Sequence, residues 1–315
     1  MQKNLTQSHP SILTLYFGEM TQARYLYSVL TLIGFTVIVL ANGAVIIVIV
    51  LHQTLHKPMY IFISLLCINS LYGCFAFFPS LFVNLLSTTQ TISYIGCITQ
   101  VFCLHTYGGC ELSLLTIMAL DRYVCICNPF WYNQIMSLPT VCKLAMAAWL
   151  IGIIPVSTFV LMTIRLPLCG NLILKIYCDN WSVVRLSCID TTINNIFGLC
   201  IIVGFLTVMP AFILFSYAEI LKVCMKSSKV FQAKAWQTCA PHIISVINFM
   251  VIRLFEFLNN RLSLSSWSNN LSIIMVVQAF VLQPVLNPLI YGLKLKKIKT
   301  KMIQFFFQKT YGSER

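Results

Sequence analysis

Met118-Ala119-Leu120-Asp121-Arg122-Tyr123 places an acid and a base side by side where a long apolar run gives way to a polar, basic stretch. Charge at the end of an apolar helix is costly in a membrane and usually marks a functional position. Upstream, Gly96 to Ile126 is apolar apart from Glu111 and the Asp121-Arg122 pair, long enough for one membrane-crossing helix. A crossing needs about 20 residues of helix, and the rest of the chain supplies more of them. Charge-free runs cover Tyr25–Leu51, Leu144–Ile164, Thr191–Ala218, Ala235–Ile252 and Leu262–Leu293. From Pro58 to Cys110 there is no Asp, Glu, Lys or Arg. That stretch has room for two spans, divided by the polar Ser87-Thr88-Thr89-Gln90-Thr91.

The expected architecture is an all-α membrane protein: a seven-transmembrane helix bundle with a short amphipathic helix after the seventh span. Composition agrees, with 58% hydrophobic and only 9% charged residues, against roughly 25% charged in a soluble domain. Residues 1–24 form an N-terminal segment, 25–293 the membrane domain and 294–315 a tail. In the tail Leu295, Ile298, Met302 and Phe305 recur at helical spacing among lysines, as in a helix lying on a membrane surface. Residues 1–24 have no apolar segment of the kind a cleavable signal peptide carries, so the first span is expected to act as a signal anchor.

Lysine and arginine set the orientation. One side of the bundle collects Lys57, Arg122, Lys143, Lys222, Lys226, Lys229, Lys234, six tail lysines and Arg315; the other has Lys3, Arg24, Arg165, Lys175, Arg185 and Arg261. The positive-inside rule puts the amino terminus outside and the carboxyl terminus in the cytoplasm. The net charge of +13 is then a topology signal and a match for anionic membrane lipid, and nucleic acid is not an expected partner. Of 14 cysteines, Cys97, Cys169, Cys178 and Cys188 fall on the outer side. That is an even number in an oxidising compartment, consistent with two disulfides in any of three pairings. No histidine lies in that loop to complete a zinc site. Asn4-Leu5-Thr6 is a glycosylation sequon on the outside; Asn180-Trp181-Ser182 and Asn270-Leu271-Ser272 also fit the pattern.

Asp121-Arg122-Tyr123 and Asn287-Pro288-Leu289-Ile290-Tyr291 resemble the signatures of rhodopsin-like G-protein-coupled receptors, and the chain as a whole resembles odorant receptors. The matching stretches run in order: Leu55-His56-Lys57-Pro58-Met59-Tyr60, Met118 to Pro129, Ser216-Tyr217, Lys234 to Cys239 followed by His242, and Pro284 to Pro288. Asn42-Gly43 in the first span and Trp149 in the fourth also fit. Cys67 to Gly73 and Glu256 look like fish-type members of that family. The resemblance implies the pairs Cys97–Cys178 and Cys169–Cys188. It implies a small-molecule odorant, a heterotrimeric G protein of the stimulatory olfactory type, a cyclic-AMP readout and a plasma-membrane location in sensory cilia. No cofactor is expected. Ser70 stands where the family has an acid, so a sodium ion near Glu111 would lack that ligand.

Glu111 and Arg122 are eleven residues apart, about three helical turns, and so share a face. Continued outward, that face carries Leu104 and Gly108, with His105 and Gly109 beside it. Buried ionisable groups face the bundle interior, so the ligand site is expected along this stripe. It would be completed by Ile202 and Phe205 of the fifth span, Met250, Arg253 and Phe257 of the sixth, and Val276 and Phe280 of the seventh. The coupling end would hold Asp121, Arg122, Tyr123, Tyr217, His242, Asn287, Pro288 and Tyr291. Plainer roles are open beside these. Glu111 can be a protonated, hydrogen-bonded core group, and Arg253 can serve as partner to Glu256 one turn away. His105 can be simple pocket wall, and Trp149 packing only.

Three function classes are open to such a chain. A receptor needs only a cavity and a movable cytoplasmic end. A non-olfactory receptor of the same class, for a small lipid or metabolite, fits the same bundle. A transporter more often shows paired broken helices and midplane charges, and an enzyme needs clustered catalytic groups. Here the intramembrane acids and histidines are scattered, so no catalysis is expected.

Overall fold

The computed structural model describes residues 9–17, 23–262, 278–294, 298, 300 and 301. Six long helices, α1 (Ala23–Leu51), α2 (Pro58–Leu86), α3 (Tyr94–Cys127), α5 (Leu138–Ile164), α7 (Thr192–Met225) and α8 (Lys229–Leu262), are the first six spans. A turn of π-helix over Gln278–Leu282 leads into α9 (Gln283–Lys294), the described part of the seventh. Short helices α4 (Tyr132–Ile135) and α6 (Asn180–Val184) lie in the connections. Five of the described helices are long and apolar enough to cross a membrane on length and composition alone.

Several helices outrun the charge-free stretches that predict them. The sixth span, expected over Ala235–Ile252, extends to Lys229 and Leu262. Backbone hydrogen bonding does not stop where hydrocarbon ends, so basic end turns stay helical beyond the apolar core. Starts follow local chemistry. Pro58 opens α2 at its first turn, where a missing N–H costs nothing. The Ser93 hydroxyl caps α3 by accepting the Gly96 N–H at 3.1 Å. Lipid-facing positions keep large apolar side chains exposed, among them Leu40, Ile95 and Leu214, as a helix in hydrocarbon requires.

An all-α expectation misses a three-stranded sheet at the outer end. Strand β1 (Ile12–Leu15) lies between β2 (Thr91–Ser93), antiparallel to it, and β3 (Leu172–Ile173), parallel to it. Leu13, Leu15 and Phe17 point into the outer core and are buried. Their alternation in burial has the period of a strand, which exposed Ile12 and Tyr16 between them mask in the sequence. Asn4, Asn270 and Val276 lie outside the described residues, as does most of the expected amphipathic tail helix; within that stretch Ile298 is wholly buried.

Helices α3 and α5 approach closely at glycines. A Cβ built on Gly152 would stand 2.5 Å from Cys110 Sγ and 2.9 Å from the Cys110 backbone nitrogen, and one on Gly109 only 3.1 Å from Gly152 Cα. Without side chains there, the two backbones can touch, the usual way that membrane helices approach closely. Gly152→Ala is therefore expected to lower stability by about 1–3 kcal/mol through overpacking. The check is the thermal unfolding midpoint of detergent-solubilised receptor; an unchanged midpoint would contradict so close a crossing.

Candidate functional site: ligand cavity and cytoplasmic gate

A cavity of about 210 Å³ opens between α3, α5, α7 and α8 on the outer half of the bundle. Leu104, His105, Gly108 and Gly109 of α3 line it, with Ile202 and Phe205 of α7, Arg253 and Phe257 of α8, and Phe280 of the π-helical turn. Met250 does not. It packs against the inner-half core, and Phe249 occupies the wall instead. One residue turns a helical side chain by about 100°, so the rotation of α8 decides between the two, and a sequence does not state that rotation. Further walls come from residues outside the expected set: Pro155, Val156 and Phe159 of α5, Glu256 of α8, and Tyr177, Asp179, Asn180 and Trp181 of the outer loop.

That loop is tied down at several points. Cys97–Cys178 and Cys169–Cys188 are both bridged. Gln100 of α3 donates to the Ala76 carbonyl at 3.0 Å and accepts the Cys178 N–H at 2.9 Å, pinning the loop over the helices. Asp179 caps α6 by accepting the Ser182 N–H at 2.9 Å and pairs with Lys175. Burial alone would raise the Asp179 carboxyl pKa; the Lys175 ammonium and the Ser182 N–H more than offset this and hold it below the ordinary value. Thr163 donates its hydroxyl to Asn180 Oδ1 at 2.8 Å. Asn180 therefore serves the cavity wall.

Below the cavity sits a polar hub on Glu111, which is fully buried. It accepts amide N–H groups from Asn69 at 2.8 Å, Asn287 at 2.7 Å and Gln283 at 3.3 Å. Asn287 also donates to Ser70 at 3.3 Å and accepts the Ser245 hydroxyl at 2.9 Å. α2, α3, α8 and α9 thus share one buried network. Every neighbour named here for Glu111 is a neutral donor, and among the described residues no cluster of three or more His, Cys, Asp or Glu could hold a metal ion.

At the cytoplasmic end Arg122 bonds its neighbour Asp121 through Nε and Nη2. Asp121, fully buried, also accepts the Tyr132 hydroxyl at 2.7 Å from α4. Tyr217 of α7 meets His242 Nδ1 at 2.7 Å, and His242 Nε2 lies 2.8 Å from the Leu115 carbonyl of α3. Tyr291 is fully buried and Tyr123 packs toward Phe215. Arg122 is thus bonded to Asp121, and Tyr217 to His242.

Comparison with known proteins decides what these motifs belong to. The profile of the olfactory receptor family matches residues 30–309. The chain belongs to the olfactory receptor family. Human olfactory receptor 6N1 is 36% identical over 280 residues, covering 87% of this chain and 88% of that protein. Human olfactory receptor 52N2 is 34% identical over 275 residues, covering 86% and 85%. Human olfactory receptor 51E1 is 31% identical over 281 residues, covering 89% and 88%. The seven-transmembrane fold and a multi-pass membrane location follow for this olfactory receptor, and it is not an enzyme.

Proposed function

We propose that an odorant binds in the cavity between α3, α5, α7 and α8 and that α8 relays its presence to the cytoplasmic end, where a heterotrimeric G protein docks. The observation that carries this reading is one face of one helix. His242, Phe249 and Arg253 follow at spacings of seven and four residues, so they share a face of α8. Phe249 and Arg253 line the cavity, while His242 bridges Tyr217 and the Leu115 carbonyl. A ligand that prefers a displaced α8 therefore disfavours the bridge and shifts an existing equilibrium toward an open cytoplasmic end. Pro241 inside α8 gives that helix a flexible point beside the bridge.

The finer assignments belong to the same reading: a stimulatory olfactory G protein raising cyclic AMP, the amino terminus outside the plasma membrane of sensory cilia, a glycan on Asn4, and basic residues facing anionic inner-leaflet lipid. The test is a panel of odorants applied to cells expressing the receptor, with cyclic AMP as readout. Ile202→Trp, which fills the cavity, is expected to weaken every agonist by about tenfold or more at equal surface level. Unaltered potencies in that variant would move the ligand site elsewhere.

A further inference from the structure

Arg253 and Glu256 both line the cavity and pair at 2.7 Å through Nη1 and Oε2. The guanidinium lies against α3 where Gly108 has no side chain; a Cβ on Gly108 would stand 3.0 Å from Nη2. It is also placed over the rings of Phe249 and Tyr107, 5.1 and 5.9 Å from their centroids. The pair is incomplete. Arg253 Nε and Glu256 Oε1 are both buried and make no hydrogen bond among the described residues. A buried donor and a buried acceptor without partners are unfavourable, and here they sit on adjacent charged side chains facing one ligand space.

We infer that the cavity takes a zwitterionic ligand, an α-amino acid with an apolar side chain, whose carboxylate meets Arg253 and whose ammonium meets Glu256. This rests on the reading of the cavity as the odorant site. The charge inventory favours a zwitterion over a simple acid or a simple amine. Arg253 is already compensated by Glu256, so an incoming anion alone would strand a buried carboxylate, and it would also face Asp179, which lines the same cavity. An amine alone would strand the guanidinium. A ligand carrying both charges supplies the missing acceptor and the missing donor together and leaves neither member of the pair uncompensated. The remaining wall, with Leu104, Val156, Phe159, Ile202 and Phe205, suits an aliphatic or aromatic body.

The experiment compares leucine and phenylalanine with the amine, the carboxylic acid and the alcohol of matching hydrocarbon skeleton, using cyclic AMP in cells expressing the whole receptor. The amino acids are expected to be more potent than each counterpart by about tenfold or more, the scale of one charge-assisted contact. Arg253→Gln is expected to shift preference toward amines and Glu256→Gln toward acids, in opposite directions, at surface levels followed with an epitope tag. If either variant fails to reach the surface, the comparison of compounds on the unaltered receptor decides alone. An acid, amine or alcohol within about threefold of its amino acid, or equal losses for acids and amines in both variants, overturns the inference and assigns the pair to helix-internal stabilisation. Silence toward all these compounds from a receptor that answers other odorants also overturns it, with the receptor reading intact. Silence toward every odorant at normal surface level overturns both.

Discussion

Arg122→Ala is expected to abolish ligand-stimulated cyclic AMP while receptor is still detected at the cell surface. Arg122 is 8% exposed and bonded to a carboxylate that is fully buried, so it is poorly placed to act where it is. Under the proposed mechanism activation releases Arg122 from Asp121, which Tyr132 of α4, on the connection after α3, also holds. A companion variant tests the direction. Asp121→Asn removes the charge that retains Arg122 and is expected to raise signalling in the absence of ligand, whereas Arg122→Ala lowers it. Breaking a buried ion pair costs about 3–5 kcal/mol, so surface level has to be followed in parallel. Full signalling from surface-expressed Arg122→Ala would remove Arg122 from the coupling machinery.

Cys97→Ser and Cys178→Ser are each expected to prevent delivery to the surface, and the double variant to be no worse than either single one. The bridge closes a loop of 81 residues and joins the start of α3 to the segment that roofs the cavity. Cysteines acting as one bond give non-additive losses; cysteines acting separately give additive ones. The Cys169–Cys188 bridge spans only 19 residues. On chain-entropy grounds it is worth about 3 kcal/mol against about 4.5 for the longer loop, so its loss should reduce surface delivery without eliminating it. Flow cytometry on an epitope-tagged receptor separates these outcomes, and a milder effect at Cys97 than at Cys169 would contradict the ranking.

Much of the site was legible before any fold. The α3 stripe of Leu104, His105, Gly108 and Gly109 lines the cavity where helical spacing puts it. A single helix fixes the relative directions of its own side chains. The errors arise between elements. Met250 and Phe249 are neighbours in sequence, and nothing local says which of them α8 turns toward α3. Glu111 was readable as a buried acid, but its partners Asn69, Gln283 and Asn287 come from 42 to 176 residues away. Phe159 and Asp179 reach the cavity from α5 and the outer loop and carry no periodic signal that marks them as pocket walls. The β1 strand was missed for a different reason. Its alternation Leu13, Leu15, Phe17 is short, and its partners lie in two other connections.

Sequence alone determined that the chain is a bundle of membrane helices of the olfactory receptor family, with a charged pair closing its third span. Those properties are carried by residues close together in the chain: apolar run length, the sign of flanking charges, and short motifs. Tertiary structure alone decided that Arg253 lies in the notch at Gly108 with one donor unused, that Tyr217 bonds His242, and that an N-terminal strand joins the roof of the bundle. Each of these depends on how far one helix is rotated and how deep it sits against another, which close packing across the whole bundle sets and no stretch of the chain encodes by itself.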